Sequence, residues 1–290
     1  MNPALWGVLS ALSFGCADFI ARFTSRGLGP GRSLFGILIV SGIILTAYVL
    51  TTGIGPIEVS AELWLIGLHG LALTVAMLLL YWALARGPIN VVAPVVATHP
   101  ALIVAWAIIL GTRPSALQWT GMAVTMLGAI TVAWSAEATS AKASTSGHDQ
   151  KELRQTMLIS LAASCAYAAY IVLGQSAVPI YGSITTLWLG RLVALIALLP
   201  YFFLRSEAPV LPLRWWPILL VQGCLDTGGL LLLLLGSRGT DTEITAVVAA
   251  GFGAVTVLLA WCFLKERMSW IQWIGVGLVF AGTAVLAGSG

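Results

Sequence analysis

A few polar side chains stand inside long apolar runs of this sequence, and any chemistry must start from them. Arg191 lies in Trp188-Leu189-Gly190-Arg191, Gln222 and Asp226 share another run, His69 sits in a third, and Asp18 comes late in the first. A charge in hydrocarbon costs about 2.5–3.5 kcal/mol by insertion scales, so such a group faces a partner or a cavity. Arg191 offers a fixed cation to a substrate carboxylate. Its alternative is a structural pair with an acid on a neighbouring helix. Asp226 is the most deeply placed carboxylate, a candidate proton carrier or the counter-ion of Arg191. Gln222, four residues before it, shares its helical face. His69 precedes Gln222 by 153 residues, which suggests polar groups at equivalent heights. Asp18 stands four residues before Arg22, as a surface i,i+4 pair would, or as a second proton-coupling group.

His99-Pro100, with Pro94 before it, interrupts one apolar run, and Gly251-Phe252-Gly253 interrupts a later one. Breaks at matching places in two halves mark binding sites in carriers, because freed carbonyls there meet a ligand or allow bending. Tyr167, Tyr170 and Trp188 are candidate aromatic walls.

The elements that must position these groups follow from composition. Hydrophobic residues make up 59% of the 290 and charged residues only 9%, with a mean hydropathy of +0.98. A soluble surface needs about a quarter charged residues, so the membrane class is expected. A crossing helix takes about 20 apolar residues. Ten stretches qualify: 4–22, 33–52, 63–85, 89–110, 116–135, 156–174, 184–204, 215–236, 243–264 and 270–288. They are continuously apolar, which excludes barrel strands. The N-terminus has no basic stretch before its first apolar run and reads as a retained span.

The polar segment 136–155 divides the chain into halves 1–135 and 156–290 and reads as a linker loop. The halves repeat. Ala85-Arg86-Gly87 and Ala93-Pro94-Val95-Val96-Ala97 return as Ser237-Arg238-Gly239 and Thr245-Ala246-Val247-Val248-Ala249. Arg113, Gln118, Trp119, Gly121 and Gly128 return as Arg267, Gln272, Trp273, Gly275 and Gly282. Five spans per half is odd, so the second half enters from the opposite side, an inverted repeat around a central cavity. The fold expected is therefore all-α integral membrane, with ten helices in two inverted five-helix repeats. The glycine pairs, seven apart, suit close helix packing, including a dimer face. Arg22, Arg26, Arg32, Arg86, Lys142, Lys151, Arg154, Arg205, Arg214, Lys265 and Arg267 would share one side against Arg113 and Arg238. That side is expected in the cytoplasm, with both termini outside, in the cell (inner) membrane.

Leu264-Lys265-Glu266-Arg267 followed by Gln272-Trp273-Ile274-Gly275, with Leu110-Gly111-Thr112-Arg113 and Gln118-Trp119-Thr120-Gly121 as its first-half copy, resembles the drug/metabolite transporter superfamily, in its EamA-type two-repeat branch. Thr112 stands where that pattern has glutamate. The resemblance implies a ten-helix carrier with a central cavity, often an exporter of amino acids or other metabolites.

Other classes fit less well. Cys16, Cys165, Cys224 and Cys262 have no metal spacing, and the histidines at 69, 99 and 148 are scattered. No nucleotide loop is present, so no cofactor, metal, ATP drive or nucleic-acid partner is expected, and not an enzyme. The expectation is a secondary carrier exporting a small amphipathic metabolite, with a zwitterionic amino acid favoured because Arg191 and Asp226 offer both charges. It would work as monomer or homodimer in the bilayer, with protons as a coupling partner through Asp226 and Asp18. A passive channel or facilitator and a drug exporter are the alternatives.

Overall fold

Apolar composition and the absence of period-two alternation lead to helices, and every regular element among the described residues is helical. The computed structural model describes residues 3–53, 61–109, 111, 113–143, 147–236, 245, 248–249, 251–266 and 268–288. Its helices are α1 Pro3–Leu28, α2 Pro30–Thr52, α3 Leu63–Arg86, α4 Ile89–Val96, α5 His99–Ile109, α6 Ala116–Ala143, α7 Gly147–Tyr181, α8 Ser183–Ala197, α9 Leu199–Arg205, α10 Trp216–Gly236, α11 Phe252–Leu264 and α12 Trp270–Ala287. The expectations at Leu110, Thr112, Ser237-Arg238-Gly239 and Arg267 lie outside the described residues, as do Ala246 and Val247.

Seven stretches among the described residues are long and apolar enough to cross a membrane: Leu5–Leu28, Pro30–Thr52, Leu63–Arg86, Ile89–Trp106, Lys151–Tyr181, Ser183–Arg205 and Leu213–Gly236. Shorter apolar helices occupy Ala116–Val132, Phe252–Leu264 and Trp270–Leu286. The protein is multi-pass and all-α.

Two boundaries differ from the sequence expectation. The first helix continues six residues beyond 22, to Leu28, because Arg22 and Arg26 are bonded to carbonyls and not turned into a loop. Within 136–155, residues 136–143 and 147–155 are helical, as extensions of α6 and α7. Alanine, Glu137, Lys142, Lys151 and Glu152 are good helix formers, so polarity there forbids hydrocarbon but not a helix.

The turns repeat as the helices do. Every described residue with positive φ has a partner about 153 positions away: Gly29 (89°) and Gly182 (78°), Gly53 (67°) and Ser206 (50°), Gly111 (93°) and Lys265 (54°). Gly29 lets α1 pass to α2 through one residue, with Pro30 supplying a preset first helical φ. Capping boxes repeat too. Ser115 and Gln118 exchange backbone-to-side-chain bonds at the start of α6, and Ser269 and Gln272 do so at α12.

Packing between the halves is reciprocal. α3 lies on α7 and α8, while α10 lies on α1 and α2; α4 lies on α7, while α11 lies on α1. α6 and α12 form the most extensive pairing. A Cβ on Gly128 would stand 2.5 Å from the Val279 nitrogen and 2.7 Å from the Gly275 oxygen, so these backbones touch. The glycine faces expected for close packing are thus used within the chain, Gly128 against Gly275 and Gly121 against the Val285–Leu286 side of α12.

Candidate functional site

Long helices place the isolated polar groups at depth. Asp226 lies ten residues from either end of α10, about 15 Å along the axis. Arg191, in α8, donates through Nη2 to its Oδ2 at 2.8 Å. The two side chains are only 5% and 15% exposed. The Arg191 Nη1 also reaches the Met77 sulfur of α3 at 3.5 Å. Asp226 is thus paired with Arg191, and the two charges expected to divide a zwitterion between them meet each other. In the first half, 153 residues earlier, the equivalent positions are Leu38 and Leu73, both buried in the core.

Gln222, one turn before Asp226, is fully engaged. Its amide donates to the Tyr81 hydroxyl at 3.0 Å, and its oxygen accepts from Thr24 at 2.8 Å. Ser33 donates to Thr24 at 2.7 Å. This chain of bonds joins α2, α1, α10 and α3. Nothing in the sequence singles out Tyr81, Thr24 and Ser33, because hydroxyls inside apolar runs carry no charge to mark them.

His69 lies two turns from Met77 on α3, away from Tyr81. It therefore falls on the opposite side of the ion pair from Gln222, and not at the same height. Its Nδ1 meets the Tyr170 carbonyl at 2.9 Å, and its ring stacks on Tyr170 at 4.4 Å. Gly174 and Gly190 flank the imidazole; a Cβ on Gly174 would come within 2.7 Å of it. Tyr167 lies near Tyr170, with ring centroids 6.4 Å apart, and His99 near Tyr167 at 5.9 Å. Trp188 turns to α2, donating to the Thr46 hydroxyl at 2.9 Å.

Asp18 lies well inside α1, since that helix runs to Leu28. It is within electrostatic range of Asp226, Tyr81 and Tyr167. The surface pair with Arg22 does not form. Arg22 instead donates to the Gly87 carbonyl and to that of Leu84 at 3.4 Å, and its Nη2 stands 3.4 Å from Glu266. Glu266 accepts from the N–H groups of Ile89 and Asn90 at 3.1 and 3.0 Å, the first turn of α4. A carboxylate there meets unpaired N–H groups and the positive helix end. Nearby, Arg26 bonds the Ala85 carbonyl, Arg32 bonds that of Ala208, and Arg205 and Arg86 both cover the Trp82 ring. The structure thus gathers these basic residues at one end.

The expected break after Pro94 is present. α4 ends at Val96, Ala97 and Thr98 form a turn, and α5 begins at His99. In the second half a turn at Gly251 precedes α11. The carbonyls at the first break are not free: Thr98 bonds Val95, His99 bonds Val96, and Thr283 of α12 bonds Ala97.

Helices from both halves thus converge on one mid-depth cluster, with matched breaks beside it. The family model described as EamA-like transporter family matches residues 1–134 and again 154–288. The chain belongs to the EamA-like transporter family. Membership makes it a membrane transporter acting on a small-molecule substrate across a bilayer. A solved structure titled "Crystal structure of protein" is similar in fold, with a TM-score of 0.60 at 18% identity over 98% of this chain and 95% of that one. No curated protein matches. Within this EamA-like chain the motif residues have visible work: Glu266 bridges to α4, and Gln272 closes the cap of α12.

Proposed function

We propose that this chain is a secondary carrier with ten passes, arranged as two inverted five-helix repeats that rock around the Arg191–Asp226 cluster. The observation that carries the reading is a buried ion pair at mid-depth, met by Met77 of the first half, with Tyr81 of the same half bonded to Gln222 one turn from Asp226. Buried charge inside a membrane helix belongs to a pathway or a partner, and here it stands where the halves meet. The repeated turns, repeated caps and reciprocal packing support the inversion. The gathering of basic residues at one end supports a cytoplasmic location for that end in the inner membrane, with both termini outside; the direction is export, as the family resemblance implies. Because Arg191 and Asp226 satisfy each other, they no longer single out a zwitterion. The class is small amphipathic metabolites, amino acids included. No step of this reading is a covalent reaction, so no enzymatic role is assigned.

Proteoliposomes loaded with a metabolite panel test it: a carrier shows saturable uptake stimulated by substrate on the other side. Linear flux without trans-stimulation would make the protein a passive facilitator. Proton coupling through Asp226 predicts that Asp226→Asn loses pH-gradient-driven transport while exchange survives. Wild-type gradient-driven uptake in that variant removes Asp226 from the coupling.

A further inference from the structure

Arg191 is taken by Asp226, which leaves Asp18 as a carboxyl group with no hydrogen bond or ion pair among the described residues. Its direction follows from its neighbours on α1. One turn before it, the Phe14 ring lies over Gly229 of α10; one turn after it, Arg22 reaches the end of α3. Asp18 therefore lies on the face of α1 turned toward α10 and the end of α3, between the two. Tyr81 and Tyr167 lie within its electrostatic range, and Tyr170 within that of Asp226. The Tyr167 and Tyr170 hydroxyls have no hydrogen-bond partner among the described residues. Tyr81 accepts from Gln222, so its own O–H remains able to donate.

We propose that this space receives the ammonium group of a small, singly charged amphipathic amine, held by Asp18 and bounded by the rings and hydroxyls of Tyr81, Tyr167 and Tyr170. The assignment rests on the carrier reading and narrows its substrate class to amines, setting aside the zwitterionic amino acids included there. An ammonium group has only donors, and here a carboxylate and phenol oxygens are the acceptors. Its charge is attracted to aromatic faces. A substrate carboxylate would meet two acidic side chains and one arginine already engaged, so anions and zwitterions are disfavoured. The Phe14 ring, on the same face of α1, supplies an apolar wall for the rest of the molecule.

The test uses the purified full-length protein and titrates phenethylammonium, phenylethanol, phenylalanine and 3-phenylpropionate, with binding read by calorimetry. The amine is expected to bind at least about tenfold more tightly than the other three, as a charge-assisted contact implies. Asp18→Asn should weaken the amine by a similar factor, and Asp18→Glu should retain most of it. Equal or tighter binding of phenylalanine or phenylpropionate overturns the proposal, as does amine binding undiminished in a monodisperse Asp18→Asn. The comparison of probes on the wild-type protein stands even if the variant fails to fold. If none of the probes binds, the cation site falls; counterflow of the metabolite panel still judges the carrier reading separately.

Discussion

Glu266, in the second half, holds the first turn of α4 in the first half, and Arg22 stands 3.4 Å from the same carboxylate. One side chain therefore ties together α1, the corner between α3 and α4, and the segment after α11. Any rocking of the halves that opens this end must separate Glu266 from α4.

Loss of that contact is expected to be costly and shared. Glu266→Ala should destabilise the protein by about 1–3 kcal/mol, because two backbone donors and Arg22 lose their partner together. Arg22→Ala should cost less, and the double variant should fall well short of the sum. Thermal unfolding of the wild type, both singles and the double measures this. Strict additivity would mean that Arg22 and Glu266 do not act as a unit.

The buried pair makes a sharper forecast. Asp226→Leu or Arg191→Leu leaves one charge unpaired in hydrocarbon and should destabilise by about 3–5 kcal/mol. The double change to leucine reproduces the Leu38 and Leu73 arrangement of the first half and should recover most of that loss. Yield of monodisperse protein and the midpoint of unfolding report the comparison. A double variant no better than the singles would show that the pair is not mutually satisfied.

Ser206 and Lys265 hold left-handed backbone where the other half has Gly53 and Gly111. A side chain there costs about 1–2 kcal/mol. Ser206→Gly and Lys265→Gly should each raise the unfolding midpoint, by up to about 1 kcal/mol once the flexibility of glycine is set against the relief. A lowered midpoint in both would count against these turn geometries.

The crossing of α6 and α12 has its own control. A Cβ on Gly275 would stand 2.8 Å from the Val132 side chain and 3.0 Å from the Gly128 oxygen, whereas one on Gly277 meets nothing within 4 Å. Gly275→Ala should therefore destabilise by about 1–3 kcal/mol, and Gly277→Ala should be neutral or slightly stabilising. Equal effects at the two sites would refute the close crossing.

What could be read from the sequence was whatever left a local mark. Arg191 and Asp226 announced themselves as charges in apolar runs, and the repeated Gln-Trp-x-Gly frame revealed the two halves. Pro94 and His99-Pro100 marked the broken helix. Long-range relations left no such mark. Glu266 sits beside Lys265 in sequence, yet its partners are 176 and 177 residues away. Arg22 and Arg26 looked like a helix boundary because charge implies water, but carbonyls of the α3 end satisfy them inside a longer helix. Tyr81 was invisible for the opposite reason: a tyrosine in an apolar run is ordinary until Gln222 is found against it.

The contrast between Arg191–Asp226 and Leu38–Leu73 bears on history. If one unit gave rise to both halves, and it held either the two charges or the two leucines at these places, one half has since exchanged one arrangement for the other. Passage between those states one codon at a time crosses a protein with a single unpaired charge in the bilayer, the least stable of the alternatives. The route would therefore have needed a neutral polar stopover at one position, or a second change elsewhere to tide the protein over. Lineages that kept the pair and those that lost it would be separated by a step that is hard to retrace.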